Sequence, residues 1–345
     1  MSWLIYGANG YTGQLVARLA VARGERPVLA GRNGPAVTAL AGELGLPHRV
    51  FDLADGAAVR AALEGVRAVA HCAGPFSATS APMVAGCLAA GAHYLDITGE
   101  VEVFEAIFGR DAEARAAGVV LLPGAGFDVV PTDCLAAALA AALPSATSLD
   151  LAFLVGGGMS RGTTRSSIEG MAAGNLRRVD GRLVTTRFGE PARTVPFPRS
   201  GATRVGAIRW GDLATAYRST GIPTITTYTK LPPGGPLRDV AGRVMSLGPV
   251  RQLATAAVKA LTPGPDDQLR GRTYCEVWGE VRDPAGEVRT GSMTGPNAYD
   301  LTADSVVRAV TALVAGSVAP GAHTPATAFG PAYLESLDGV TVTWP

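Results

Sequence analysis

A strand runs directly into three evenly spaced glycines, and that order constrains this chain more than any other feature. Trp3-Leu4-Ile5-Tyr6 is apolar and strand-like; Gly7-Ala8-Asn9-Gly10-Tyr11-Thr12-Gly13 follows, and a helical run from Gln14 to Arg23 follows that. Strand, Gly-x-x-Gly-x-x-Gly, helix is the opening of a βαβ unit whose first turn faces a pyrophosphate. Gly7 permits the sharp turn, Gly10 lets backbone N–H groups approach the phosphates, and Gly13 lets the helix lie close to the strand. The helix N-terminus adds the positive end of its dipole. Ala8, Asn9, Tyr11 and Thr12 complete the loop as candidate cofactor contacts.

The second strand sharpens the expectation. Arg26-Pro-Val-Leu-Ala30 reads as a buried strand ending in Gly31-Arg32-Asn33. A site built for NAD usually carries Asp or Glu here, to bond the adenosine ribose. Arg32 instead presents a guanidinium fork suited to a 2′-phosphate, so the pattern points to NADP(H). An ordinary exposed loop arginine is the alternative. No Gly-x-x-x-x-Gly-Lys-Ser/Thr loop occurs.

Strands and helices alternate through the first 130 residues. Strands are expected at 48–51, 68–72, 93–97 and 119–122, with helices near 35–44, 57–63, 81–90 and 101–117. This is a doubly wound parallel sheet, and ligands of such sheets bind beyond the carboxyl ends of the strands. Those ends carry Asp52, Ala73-Gly74-Pro75-Phe76, Thr98-Gly99-Glu100 and Gly124-Ala-Gly126-Phe127-Asp128. After Pro131 the pattern becomes mixed. A helix over 132–143 precedes a strand over 148–155, then a polar helix near 163–176, strands near 183–187 and 224–229, and a long helix near 237–261. A hairpin of 272–282 and 288–294 turns at Asp283-Pro-Ala-Gly286. A helix over 303–315 and the tail to Trp344 are expected to return to the first domain. The expected architecture is therefore α/β: an NAD(P)-binding Rossmann domain of residues 1–130 completed by 301–345, with an α+β substrate or dimerisation domain of residues 131–300 inserted before the return.

Composition narrows the function class. The chain has 345 residues, 47% of them hydrophobic, enough for two cores. Net charge is +1 with no basic run, which argues against nucleic acid as a partner. Lys230 and Lys259 are the only lysines. Cys72, Cys87, Cys134 and Cys275 show no metal or redox spacing, and the four histidines give no metal set. The glycine loop at residue 7 leaves no room for a leader, and no apolar stretch spans a bilayer, so a cytoplasmic protein without membrane insertion is expected.

Tyr6-Gly-Ala-Asn-Gly-Tyr-Thr-Gly13, Leu29-Ala-Gly-Arg32, Cys72-Ala-Gly-Pro-Phe76, Tyr94-Leu-Asp-Ile-Thr-Gly-Glu100, Gly124-Ala-Gly-Phe-Asp-Val-Val-Pro-Thr-Asp133 and Thr324-Pro-Ala-Thr-Ala-Phe-Gly330 together resemble the saccharopine dehydrogenase-like oxidoreductases, and among them the trans-acting enoyl reductase branch. The resemblance spans nearly the whole chain and is strongest through residue 135. It implies NADPH-linked reduction of a carbon–carbon double bond or an imine in a small-molecule or acyl substrate. A saccharopine-type amino-acid dehydrogenase and a catalytically silent NADP-binding scaffold or sensor are the alternatives.

Hydride chemistry requires the protein to place the acceptor and manage one proton. Asp128 suits substrate orientation or proton handling, or else an N-terminal helix carboxylate. Tyr228 and Lys230 are candidate proton donors, against a solvated strand end. Arg161, Thr163, Arg165 and Tyr217 offer donors for an anionic substrate group, or else a solvated helix start. Asp96 and Glu100 flank Thr98-Gly99; one could bond a ribose hydroxyl, although capping of the helix from Val101 is the simpler account. A homodimer through the second-domain sheet is a further expectation.

Overall fold

The computed structural model describes residues 3–158, 160, 164, 174–231 and 264–345. They divide into two compact units, Met1–Val130 with Tyr299–Gly330, and Pro131–Ala298 with Pro331–Pro345. The first unit opens with β1 (Trp3–Tyr6), α1 (Tyr11–Ala22), β2 (Val28–Gly31), α2 (Gly34–Leu44), β3 (His48–Val50), α3 (Gly56–Ala62), β4 (Ala68–His71) and α4 (Phe76–Ala90). It continues through β5 (His93–Asp96), α5 (Val101–Phe108), α6 (Asp111–Ala117) and β6 (Val120–Leu122). From α7 (Val130–Ala142) the chain enters the second unit: β7 (Ser148–Val155), β8 (Asn175–Val179), β9 (Arg182–Thr186), β10 (Ala192–Phe197), β11 (Gly201–Ile208) and α8 (Asp212–Thr220). Then come β12 (Thr224–Thr229), α9 (Asp267–Arg270), β13 (Cys275–Arg282) and β14 (Val288–Gly295). The chain returns with α10 (Ala298–Ala315), β15 (Gly321–Ala322) and α11 (Pro325–Phe329), and ends in β16 (Thr341–Thr343).

The first unit is a seven-stranded parallel sheet in the order β15-β6-β5-β4-β1-β2-β3. β1, β2 and β4 are buried along their whole lengths, as apolar strands covered by helices on both faces must be. The chain runs outward from β1 through β2 to β3, then crosses to β4 on the other side of β1. The switch point thus lies between β1 and β4. Helix α1 lies close against the turn because residue 13 is glycine: a Cβ there would sit 2.3 Å from the Gly7 carbonyl oxygen. Val306 and Val310 of α10 share one core with Ile5, Val16, Leu29 and Leu122. The returning helix is therefore part of this unit's core.

The second unit is built on a nine-stranded mixed sheet. Alternation along β13 puts Gly279 on one face and Glu276, Trp278 and Glu280 on the other. Helix α7 packs on the glycine face. A Cβ at Gly279 would lie 2.6 Å from Leu139, and one at Gly291 of β14 2.9 Å from Leu135. On the opposite face Ala152, Val195, Phe197, Val205, Ala207, Tyr228 and Trp278 form one apolar cluster. The β10–β11 hairpin is pinned there by two carboxylate clamps. Arg193 pairs with Asp150 and Glu280 and lies 4.8 Å from the Trp278 ring centroid. Fully buried Glu276 accepts from the Arg199 N–H and from the Ser200 N–H and hydroxyl.

Several expectations need correction. The segment 301–345 divides: Tyr299–Gly330 lies in the first unit, but Pro331–Pro345 lies in the second, because β16 pairs antiparallel with β14. The helix expected over 101–117 breaks into α5 and α6 at Gly109-Arg110. The helix expected near 163–176 overlaps β8, whose hairpin with β9 turns at Asp180-Gly181, both at positive φ. Most of that expected helix, and all of the one at 237–261 with Lys259, lie outside the described residues. Strands β10 and β11 and helix α8 have no counterpart among the expected elements: the apolar residues that β10 and β11 add to the cluster, Val195, Phe197, Val205 and Ala207, are few and flanked by polar ones.

Removing the Glu276 carboxylate takes away the shared charged acceptor of three donors at once, on the exposed residues Arg199 and Ser200. Glu276→Ala is expected to lower stability by about 1–3 kcal/mol and to raise hydrogen exchange first across residues 192–208. Unchanged exchange in that hairpin would show that Glu276 does not hold it.

Candidate functional site

Every expected cofactor loop lies at the carboxyl edge of the first unit's sheet, but the side chains do different work there. Gly7 stands at the switch point with φ of 80°, and a Cβ on it would lie 2.8 Å from the Ala73 Cβ. The loops after β1 and β4 therefore meet through backbone. The Gly10 N–H donates to the Gly7 carbonyl at 2.9 Å, closing the turn. Gly10 caps α1 without a side-chain hydrogen bond, and the first turn holds no acid. The N–H groups that open a helix have no intrahelical acceptor, so this end is shaped for an anion. Gln14 Nε2 donates to the Asn9 carbonyl at 3.0 Å, fixing the loop from the helix side. Ala8 is buried under the turn. An uncapped, glycine-lined helix start fits a dinucleotide pyrophosphate.

At the adenosine end β2 stops at Gly31. A Cβ there would lie 3.2 Å from Asn9 Oδ1, so Asn9 covers the space a side chain would take. Arg32 is exposed and makes no ion pair among the described residues. Asn33 Oδ1 accepts from the Ala36 N–H at 3.3 Å and caps α2. Asp52 is exposed and accepts from the Ala54 N–H at 2.9 Å, a local turn. Tyr6 donates to the Phe51 carbonyl at 3.2 Å. Burial raises its phenol pKa, the Asp52 charge adds to the rise, and the Arg32 charge opposes it. Arg32 and Asp52 thus both bear on one buried ring.

The other end of the edge is organised around Asp96. Its carboxylate accepts from the Tyr94 hydroxyl at 2.6 Å, the Thr98 N–H at 3.0 Å and the Gly124 N–H at 2.8 Å. Burial pushes its pKa up to about 6 against the pull of those bonds. Thr98 is buried, and its hydroxyl accepts from the Glu100 N–H at 3.0 Å. Glu100 then reaches the loop after β4, accepting from the Phe76 and Ser77 N–H groups at 2.9 and 2.8 Å. It caps α4 from outside and makes no side-chain cap to α5, the simpler of the two roles that the sequence offered for Asp96 and Glu100. Below that loop His71 is fully buried; its Nε2 lies 3.0 Å from the Thr79 hydroxyl, and burial drops its pKa to about 3. Ala73 and Pro75 are half-buried, Gly74 is exposed and Phe76 is buried.

The loop Gly126–Asp128 is held by the returning helix. The Phe127 N–H donates to Thr302 Oγ1 at 2.9 Å, and a Cβ on Gly126 would lie 2.9 Å from Thr302 Cγ2. Tyr299, at the start of α10, packs edge-on against Tyr11 with centroids 4.9 Å apart. Thr302 and Tyr299 stand far along the chain from the loops they touch, so no local signal marks them. Asp128 is half-buried as a residue, but its carboxyl group is enclosed and lies against Gly99. Burial, then the Glu100 charge, push its pKa up to about 7.

The second-unit candidates behave differently. The Tyr228 ring sits in the apolar cluster of its sheet, and burial raises its phenol to about 12. That is the position of a core tyrosine. Lys230, just beyond β12, is exposed. Tyr217 lies beneath the Arg178 guanidinium, 4.1 Å from its ring centroid. Arg161, Thr163 and Arg165 lie outside the described residues.

Residues 3–122 match the family described as saccharopine dehydrogenase NADP binding domain. The chain is 34% identical over 138 residues to a Mycobacterium tuberculosis protein provisionally named a trans-acting enoyl reductase, covering 38% of this chain and 33% of that protein. It is 29% identical over 147 residues to an Arabidopsis thaliana protein provisionally named a mitochondrial saccharopine dehydrogenase-like oxidoreductase, covering 38% and 32%. The chain thus matches about a third of the length of these curated relatives. Saccharopine dehydrogenase (L-Glu forming) from Saccharomyces cerevisiae has a similar fold across 99% of both chains, with a TM-score of 0.65 at 13% identity. The chain's resemblance to saccharopine dehydrogenase-like proteins is established in sequence through its NADP-binding domain and in fold along its length. The cofactor of that domain is NADP(H). Among the described residues no helix is long and apolar enough to cross a membrane.

The enclosed Asp128 carboxyl makes a signed prediction. An acid whose folded pKa is raised contributes stability below its unfolded value, and that contribution is lost as pH rises through the folded value. Asp128→Asn should therefore unfold at a higher temperature than the parent at about pH 8, with the difference vanishing near pH 4. Thermal unfolding at both pH values checks this; equal melting at about pH 8 would mean the carboxyl ionises without penalty.

Proposed function

We propose that this chain, built on a saccharopine dehydrogenase NADP-binding domain, is an NADPH-dependent oxidoreductase that reduces an enoyl C=C or an imine C=N bond of a small-molecule or acyl substrate. The observation that carries the reading is the uncapped, glycine-lined start of α1 at the switch point, with exposed Arg32 where an acid would select NAD. The names of the mycobacterial relatives favour the enoyl form.

In this reading residues 7–13 hold the pyrophosphate and Arg32 bonds the 2′-phosphate. Ala73–Phe76, Thr98 and Gly126–Phe127 line the nicotinamide side. When bound, NADPH supplies the hydride. Asp128 holds a proton at its carboxyl near neutral pH and delivers it to the atom beside the hydride acceptor, so that the C=C or C=N bond becomes a single bond with one new bond to hydrogen at each end. Tyr228 is not the donor in this reading, because its ring is packed within a core. Lys230 remains a candidate proton donor, and Arg161, Thr163, Arg165 and Tyr217 remain candidates for holding the substrate. A homodimer through the second unit's sheet belongs to the same reading.

NADPH consumption across a panel of enoyl thioesters, cyclic imines and amino-acid/2-oxoacid pairs tests the reaction. Turnover with the last group alone would make the chain an amino-acid dehydrogenase. Tight NADPH binding without turnover on any of them would favour a silent scaffold. NADPH should bind more tightly than NADH, and Arg32→Ala should narrow that preference by about 10- to 100-fold, the worth of a charge-assisted hydrogen bond. Gly10→Val should abolish binding in a folded chain, because its side chain would occupy phosphate space. Equal affinity of the parent for both cofactors would sink the Arg32 assignment.

A further inference from the structure

Two helix N-termini open on the switch point between β1 and β4, and the chain treats them oppositely. Helix α1 starts after Gly10 with no side-chain cap and no acid in its first turn. Helix α4, fifteen residues long, starts after Pro75, which also provides no side-chain cap. Its first two N–H groups are nevertheless engaged. Phe76 donates to Glu100 Oε1 at 2.9 Å and Ser77 to Glu100 Oε2 at 2.8 Å. Each carboxylate oxygen takes one donor, so the acid grips the helix end with both.

Glu100 is itself held from behind. Its N–H donates to Thr98 Oγ1, and the Thr98 N–H donates to the buried Asp96 carboxylate, each at 3.0 Å. Asp96 also binds the Gly124 N–H. The chain of bonds therefore runs from the loop after β6, through the loop after β5, to the loop after β4. A cap drawn from twenty-four residues away is costly to order and unnecessary for helix stability alone, since a Ser or Asp at position 75 would cap α4 locally. What a distant cap adds is a fixed position for Ala73–Phe76 and a helix end that no outside anion can enter.

We propose that Glu100 is a positioning residue: a tethered anion that fills the α4 N-terminus, clamps the Ala73–Phe76 loop to the loop after β5, and leaves α1 as the one helix end at the switch point open to the cofactor's phosphates. The last clause rests on reading the Gly7–Gly13 loop as the pyrophosphate site. Without Glu100 the α4 end becomes a second anion seat. A phosphate would be drawn there by the same dipole and donors that act at α1.

The full-length chain tests this with Glu100→Ala and the near-isosteric Glu100→Gln. In the alanine variant NADPH affinity should fall about tenfold, the worth of one charge-assisted bond. Added sodium formate should return it toward the parent value, because formate can occupy the vacated carboxylate position; sodium chloride at equal ionic strength should not. The glutamine variant, which keeps an acceptor but no charge, should fall between the two and gain less from formate. Independently of NADPH, formate should raise the melting temperature of Glu100→Ala by more than that of the parent, because the α1 end is open to the anion in both chains and the α4 end only in the variant. That melting shift separates the anion seat from the cofactor reading: a parent that binds no NADPH would overturn the cofactor reading alone. A folded alanine variant whose melting gains no more from formate than the parent's, or a glutamine variant indistinguishable from the parent in NADPH affinity, overturns the positioning role of Glu100.

Discussion

The buried carboxylate of Asp96 is the point on which the ligand-facing edge of the first unit depends. Placing a carboxyl group at the end of a central strand, without water, is unfavourable unless its oxygens are satisfied. Here they are met by the Tyr94 hydroxyl and by the N–H groups of Thr98 and Gly124, while the Asp96 carbonyl accepts from Ala125 at 2.6 Å. Tyr94 belongs to β5 itself, whereas the N–H groups of Thr98, Gly124 and Ala125 belong to loops leaving the carboxyl edge of the sheet. One buried acid thus sets the conformation of two loops, and Glu100 passes the constraint to a third. An edge held by backbone bonds in this way is fixed without large side chains filling the space beside it.

The same principle appears in the second unit with different chemistry. Its sheet meets α7 through Gly279 and Gly291, where the absence of side chains lets Leu135 and Leu139 reach the strands. On the other face a hairpin is clamped by Glu276 and by the Arg193, Asp150 and Glu280 group. Glu276 is fully buried and Arg193, Asp150 and Glu280 are half-buried, so these groups fix the place of the hairpin more than they add net stability. The Tyr228 ring belongs to this structural core, which explains why a tyrosine near a lysine resembled catalytic machinery in one dimension and does not in three.

The two ends of the candidate site also differ in character. At the adenosine end Arg32 is exposed and Asn9 covers Gly31, an arrangement that depends on a few side chains and is open to alteration by single substitutions. At the other end the carboxyl groups of Asp96 and Asp128 lie in an enclosed setting beside Glu100, and burial holds both above the ordinary carboxylate range. The two ends of this edge therefore offer opposite environments, one solvated and one enclosed.

The sequence alone determined the alternation of strands and helices through residue 122 apart from the break between α5 and α6, and with it the glycine turn, the lack of an acid after β2 and the late hairpin, because these are local. Glycine spacing, apolar runs of strand length and turn residues act over a few positions, and no distant partner is needed to read them. Tertiary structure decided what the polar residues do. Glu100 caps α4 and not the helix it precedes; Thr302 bonds Phe127 across the length of the inserted unit; β16 joins β14; Tyr228 is packed and Asp128 is enclosed. The physical reason is that a hydrogen bond or a pKa depends on which groups lie within a few ångströms. For a carboxylate at a strand end, those neighbours come from other strands, whose adjacency only the folded sheet establishes.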